Sequence, residues 1–300
     1  MTAFRCAPAS RERGDQLAGT ASTVRSFLLV EHPGPWGADA LRDARLPDGV
    51  GAHLQEQSRR HRVRVLLVRR PGRSAPGGPT RVVAARVAGP GSWAEAVDLD
   101  RVQDVRDLDL AALGRGQSLG LPPEPAPVLA VCTHGRHDAC CAERGRPVAR
   151  ALADGPHADA VWEVSHVGGD RFAGNLVVLP RGLYYGDLDA GSAQRVAAAT
   201  AAGEVLLEHL RGRSDLPMAV QAADVALRHE HGLVGLDDVR PGAVRVDGDL
   251  TTARFEVRGH EPVEVVVRRV PGETTHRLTC SARRESAVPR HEVVEVRAVS

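Results

Sequence analysis

VLAVCTHGRHDACCAERGRPVARAL, residues 128–152, and VWEVSHVGGDRFAGNLVVLPRGLYYGDL, residues 161–188, decide how the rest of the chain is read. Each opens on a short apolar run of strand length and ends that run on a side chain that binds metals. Val128–Val131 delivers Cys132, and Val161–Ser165 delivers His166. Three of the five cysteines, Cys132, Cys140 and Cys141, crowd into this block. His134, His137, Asp138 and Asp170 accompany them. Two strands that each end at a ligand-rich turn are how a scaffold gathers ligands distant in sequence.

Local signals fill in the block. Arg146–Leu152 reads as a helix with Pro147 near its first turn, where a missing N–H matters least. Asn175–Pro180 and Leu183–Leu188 read as a hairpin around Arg181-Gly182. In His166-Val167-Gly168-Gly169-Asp170 the two glycines permit positive φ and close backbone approach, so the flanking side chains converge. Phe172 is expected to pack over that turn and Asn175, the chain's one asparagine, to bond its backbone. Asp138 and Arg136 either orient ligands or shape their turn. Tyr184 and Tyr185 read as core.

Cys132 and Cys141 have eight residues between them, unlike the tight Cys pairs of zinc ribbons and fingers. The wider loop suits two irons bridged by sulfide.

Towards the N-terminus, Ser26–Glu31 reads as a buried strand and His32–Gly37 as a turn. Asp39–Arg45 and Val50–Arg59 read as helices. The strands RVRVLLVR (62–69) and RVVAARV (81–87) flank the loop PGRSAPGGPT (71–80). This is an α/β or α+β unit whose strand–helix order permits a second copy of the central one. The basic run Arg59–Arg73 reads as a solvated face. Asp98–Leu113 reads as a helix, and LPPEPAPV (121–128) as a seam. Cys6 stands alone near the N-terminus.

Towards the C-terminus, Ser192–Arg211 reads as a long helix and Pro217–His229 as a second. Five β-type segments follow: AVRVDG, TARFEVRG, VEVVVRRV, HRLTCSA and HEVVEVRAV. Cys280, in the fourth, reads as a buried structural thiol within a strand.

The bulk numbers exclude several classes. With 300 residues, 42% hydrophobic and 26% charged, the chain is an ordinary globular one. A net charge of +1 gives no reason to invoke nucleic acid or an anionic membrane. Neither Lys nor Ile occurs, a coding bias expected of a GC-rich, bacterial genome. No run reaches the roughly 20 apolar residues of a membrane span, and no signal-peptide pattern opens the chain. A cytoplasmic location is expected, and in that reducing compartment clustered thiols serve metal or redox chemistry rather than a disulfide framework.

The stretches CTHGRHDACC and WEVSHVGGDRFAGNLVVLPRGLYYG resemble the sucrase/ferredoxin-like family, as do GTAS…LLVEHPGPWG and HRLTCSA. The resemblance implies an α/β (α+β) chain: an N-terminal α/β unit over 1–120, a thioredoxin-like ferredoxin domain over 121–232, and a β-rich extension over 233–300. In fungal members it implies a [2Fe–2S] cluster held by two Cys eight residues apart and by an H-x3-H pair. On this chain those positions are Cys132, Cys141, His166 and Asp170. The last departs from the family pattern, so Asp170 competes with Cys140, His134 and His137 for the fourth bond.

Three functions follow as expectations. The first is a soluble electron carrier acting with a redox partner protein. The second is a thiol–disulfide or peroxide enzyme using Cys140-Cys141 or Cys132 near Arg136 and Arg144, although no C-x-x-C is present. The third, suggested by the family's name, is a sucrose-cleaving hydrolase, which needs paired carboxylates in a sugar cleft. The carboxylates are scattered and aromatic residues make up only 3% of the chain.

Overall fold

The computed structural model describes residues 3–72 and 78–299. Residues 73–77, inside the loop expected after the second strand and including the last arginine of the basic run, lie outside them. Helix α1 (Cys6–Arg13) precedes β1 (Ser26–Glu31), α2 (Ala40–Asp43), α3 (Val50–His61), β2 (Val63–Arg69), β3 (Thr80–Arg86), β4 (Trp93–Leu99) and α4 (Leu110–Gly114). The next run is β5 (Val128–Cys132), α5 (Ala139–Ala153), β6 (Val161–Val164), β7 (Leu176–Leu179), β8 (Leu183–Tyr185), α6 (Ala190–Ala201) and β9 (Leu210–Arg213). Helix α7 (Met218–His231) leads to β10 (Val239–Asp247), β11 (Leu250–Val257) and β12 (Val263–Val270). A two-residue ladder, β13 (Thr275–His276) with β14 (Ser286–Ala287), and then β15 (Arg290–Ala298) end the chain.

Strands β1 to β9 form one mixed sheet in the order β4-β3-β1-β2-β6-β5-β7-β8-β9. It contains the same four-strand pattern twice. β1 pairs parallel with β2 across α3 and antiparallel with β3, which pairs with β4. β5 likewise pairs parallel with β6 across α5 and antiparallel with β7, which pairs with β8. Counted within each half the order is second, first, third, fourth, the thioredoxin-like arrangement. The halves meet back to back where β2 and β6 pair antiparallel at Val68–Val164 and Arg69–Glu163. The N-terminal unit therefore repeats the topology of the ligand-bearing one.

Alternation along each strand sends successive side chains to opposite faces. Leu28 and Val30 of β1 pack with Val50 and Leu54 of α3. Leu129 and Val131 of β5 pack with Val148 and Leu152 of α5 and with Val196 of α6. The opposite face, from Phe27 and Leu29 through Val68 and Val164 to Ala130, Cys132 and Tyr184, is one continuous buried cluster spanning both halves. The sheet curls over this face, as long twisted sheets do, until the β3–β4 turn meets the β7–β8 turn. There Arg181 donates to the Gly89 carbonyl at 3.2 Å. Small residues at Ala85, Ala94 and Ala96 fill the concave side.

Several expected elements differ. The helix expected over 192–211 ends at Ala201; Gly203 takes positive φ just beyond it, and 210–213 becomes β9 on the free edge of β8. In place of a helix over 98–113, Asp98 and Leu99 finish β4, followed by a 3-10 turn at Val102–Asp107 and the short α4. Helix α5 starts at Ala139, so Pro147 lies inside it rather than in its first turn. The reason is Asp138, whose carboxylate accepts from the Cys140 N–H and caps the helix earlier. HRLTCSA is not a strand beyond His276, and Cys280 sits in the loop between β13 and β14.

β10, β11, β12 and β15 form a separate antiparallel sheet. Val220, Ala223 and Leu227 of α7 cover one face by packing on Phe255, Val265 and Val267. Inside α7, Arg228 and Asp224 form a fully buried ion pair at 3.3 Å, and Arg228 also donates to the Gly235 and Leu236 carbonyls. No helix among the described residues is long and apolar enough to cross a membrane.

Candidate metal centre

β5 and the start of α5 bring the first two sulfurs together. Cys132 ends β5, and Cys141 lies in the first turn of α5, whose inward face continues through Gly145, Val148 and Leu152. Gly145 decides how near the helix comes: a Cβ there would lie 2.0 Å from the Cys132 carbonyl oxygen. Neighbouring helical residues point about 100° apart, so Cys140 and Cys141 face different surroundings. Cys141 faces Cys132 and the curled face of the sheet, whereas Cys140 packs with Cys6, Ala7 and Ala173.

His166 and Asp170 come from the turn after β6. Asp170 Oδ1 lies 3.2 Å from Cys141 Sγ and 2.9 Å from His166 Nδ1. The histidine contact is too far off line for an aligned hydrogen bond, so the buried His166 Nδ1 faces the carboxylate without an aligned hydrogen-bond partner. The His137 ring stacks on His166 at 3.8 Å between centroids, and its Nε2 lies 3.8 Å from Asp170 Oδ2. Both cysteines and the carboxylate are buried, whereas the His166 and His137 side chains are 27% and 35% exposed. The imidazoles are thus the centre's face to solvent.

The N-terminal half completes the site. His134 Nε2–H donates to the Gly37 carbonyl at 2.9 Å, while its Nδ1 accepts from the His166 backbone N–H at 3.2 Å. Both ring nitrogens of His134 are therefore occupied, and the ring braces the His166 turn. His137 Nδ1–H donates to the Ala38 carbonyl at 3.2 Å, leaving Nε2 on the Asp170 side. The turn at residues 32–37 thus lends the centre two rim carbonyls, from Gly37 and the adjacent Ala38.

A buried arginine holds the 166–170 turn from behind. Gly168 and Gly169 both have positive φ, and a Cβ on Gly169 would lie 2.3 Å from the Arg211 guanidinium. Arg211 donates to Asn175 Oδ1 at 2.7 Å, to the Gly168 carbonyl at 3.0 Å, and to both Oγ1 and the carbonyl of Thr20. Asn175 passes the bracing on by donating to the Gly169 carbonyl at 2.8 Å. Phe172 lies under the Arg211 and Arg171 guanidiniums. The role expected of Asn175 is observed. Arg211 went unrecognised because its segment reads as an exposed helix end.

The electrostatics follow from crowding. Cys132 is drawn below the ordinary thiol value by its hydrogen bond with Cys141, against the effect of burial, with help from the His134 backbone N–H and the His166 ring. Cys141 is pushed up by Cys132, by burial and by Asp170. Burial acts to raise Asp170, but His166, Cys141 and His137 outweigh it and hold its carboxyl below the usual value.

Burial holds His134 below its ordinary value; the Gly37 carbonyl opposes this, and the His137 and His166 rings add to it. His32 and His291 are lowered by burial too. A lowered histidine binds its proton more weakly in the folded chain than in the unfolded one. Stability is therefore complete above the unfolded value of about 6.5 and is lost as pH falls below it. Asp170 acts in the same direction, but only below about pH 4. The melting temperature of the metal-free protein is expected to fall from about pH 7 to about pH 5.5. His134→Gln should be less stable at pH 7 yet flatter across that range, as thermal unfolding at each pH would show.

Cys6, which stands alone in the sequence, and Cys280, expected as a buried structural thiol, come together. Cys6 Sγ lies 3.6 Å from Cys280 Sγ, and Cys280 Sγ lies 3.4 Å from Cys140 Sγ. Helix α1 and the 277–285 loop carry them to the far side of the first turn of α5. All five cysteines are free thiols. Nothing in the spacing of residues 6, 140 and 280 announces this meeting.

Fold and site together define a mixed α/β protein whose two halves share one sheet, with His137, His166 and Asp170, beside Cys141, as a group of possible metal ligands. The model of the sucrase/ferredoxin-like family matches residues 17–212, well over half of the chain, and the chain belongs to that family. No curated protein and no solved structure matches it.

Proposed function

We propose that this chain is an electron-transfer protein that binds a [2Fe–2S] cluster through Cys132, Cys141, His166 and Asp170. The observation carrying this reading is His166 Nδ1, buried without an aligned hydrogen bond and facing the Asp170 carboxylate, which in turn touches Cys141. Two buried thiols, a ring nitrogen without an aligned hydrogen bond and a carboxylate fit a pair of irons needing two soft and two harder ligands. Once bound, such a cluster exchanges one electron at a time.

The chain's own residues do the rest. Cys132 and Cys141 anchor the buried side. His166 and Asp170 close the outer side, held by the Gly168-Gly169 turn, Asn175 and Arg211. His134 orients the His166 backbone, and His137 shields the Asp170 carboxylate. A cleft of about 400 Å³ opens over His137 and His166, with Arg42 (paired with Asp43), Arg59, Arg64 and one carboxylate, Asp39, on its walls, a net positive lining. Its positive rim and the exposed imidazoles make it the docking place for a redox partner with an acidic surface.

Charge sets the potential. A +2 core with two thiolates, one neutral His and one carboxylate carries about −1, against −2 for four thiolates, so the midpoint should lie above about −400 mV. Asp170→His removes one negative charge and is expected to raise it further, in a redox titration followed by visible absorbance. An exposed imidazole ligand also couples proton to electron, so the midpoint should drop with rising pH by up to about 59 mV per unit. Anaerobically purified protein should be red-brown, with iron and acid-labile sulfide in equal amounts. Well-folded, colourless protein without either would end this reading.

A further inference from the structure

The geometry points to a second metal site, separate from the centre above, in which Cys6, Cys140 and Cys280 bind a thiophilic d10 cation such as Zn²⁺ with Asp138 at the fourth corner. One ligand atom from each of the four residues lies within 4.8 Å of the other three. The sulfur separations of 3.4 and 3.6 Å approach the edge of about 3.8 Å that Zn–S bonds of about 2.3 Å set in a tetrahedron. A disulfide would bridge two of the thiols and strand the third, whereas a cation uses all three. Cys6, Cys140 and Asp138 are buried and Cys280 is partly so, as in a closed structural site.

The local framework is built around this corner. Asp138 Oδ2 accepts from the Cys280 backbone N–H at 2.7 Å, and Oδ1 accepts from the Cys140 N–H at 2.9 Å. One carboxylate thus fixes the backbones that carry two of the sulfurs, with Cys6 Sγ 3.6 Å from it. Arg277 lies over the Phe4 ring at 4.4 Å and ties the C-terminal loop to the N-terminal segment. The packing around the sulfurs is thin: Ala7 and Ala173, with Phe4 at the margin. So small a cluster gives little hydrophobic holding power, and a cation bridging residues 6, 140 and 280 would staple both chain ends to α5. Binding replaces the thiol protons, so the ion enters as protons leave.

The test uses the full chain, reduced and metal-free, carrying Cys132→Ser and Cys141→Ser so that the other centre has no sulfurs. Titration with Co²⁺ alone is expected to give one equivalent of thiolate-to-cobalt charge transfer and the strong visible bands of a four-coordinate ion. Zn²⁺ should erase both and raise the melting temperature. Adding Cys6→Ser or Cys280→Ser should abolish the charge-transfer signature and weaken Zn²⁺ binding at least about 100-fold. If circular dichroism shows the double variant unfolded, the chain with both centres intact serves instead: it should take one Co²⁺ more than its Cys280→Ser form, whatever the first centre holds. The proposal is overturned by the absence of thiolate bands, by bands indifferent to Cys280→Ser, or by a Cys140–Cys280 disulfide in protein isolated from cells. The outcome does not depend on whether iron occupies the first centre.

Discussion

Cys132→Ser or Cys141→Ser protein, purified without oxygen, is expected to contain neither iron nor acid-labile sulfide, while Cys140→Ser keeps both. The contrast between adjacent cysteines is the informative part. Cys141 faces Asp170 at 3.2 Å and shares the buried cluster with Cys132, whereas Cys140 looks across α5 to Cys280 at 3.4 Å. A serine oxygen is harder and far less acidic than a thiol, so either loss on the inner side removes one of two soft anchors. Iron and sulfide assays on the three variants, with circular dichroism to confirm folding, decide the matter. Cluster loss in Cys140→Ser with retention in Cys141→Ser would reverse the assignment of the two sulfurs.

Arg211→Met is expected to cost about 3 kcal/mol of stability and to strip most of the iron. Arg211 is fully buried with no carboxylate among the described residues within ion-pair distance, and burial pulls its guanidinium down to about 10. Its donors are spent on Asn175 Oδ1, the Gly168 carbonyl, and Oγ1 and the carbonyl of Thr20. Methionine fills the volume but leaves these acceptors dry, at about 1–3 kcal/mol each before relaxation. Relief of the buried charge returns part of that. Thr20→Val removes the Oγ1 acceptor of Arg211 and the Oγ1–H bond to the Leu17 carbonyl, and should cost about 1–2 kcal/mol, leaving iron in place. Denaturant unfolding gives the first quantity and metal analysis the second. An Arg211→Met protein as stable as the parent and fully loaded would show that the turn holds itself.

The elements legible in the sequence are those whose cause is local. Phe27–Val30 is an unbroken apolar run, and Ser26–Glu31 is β1 to the residue. Gly232, three residues past the expected helix end at His229, closes α7 with positive φ, as a terminating glycine does. The Gly168-Gly169 turn needs positive φ, which glycine supplies without strain, and both residues have it. Elements that depend on a distant partner were misjudged. Leu210 and Arg211 read as the end of a helix but lie in β9, which pairs with β8, and the start of the expected 98–113 helix yields to β4 because β3 offers an edge.

The sequence by itself determined that soft ligands concentrate after two strand ends, that the His166–Asp170 turn must be tight, and which family the motifs resemble. Only the tertiary structure decided that the N-terminal half repeats the second and lends the Gly37 and Ala38 carbonyls to the histidines, that His134 has no free nitrogen, and that Cys6, Cys140 and Cys280 meet. The physical reason is range. Turn geometry and strand patterning are set by a few neighbouring residues, whereas the approach of three sulfurs spread over 274 positions depends on how sheet, helix and chain ends pack.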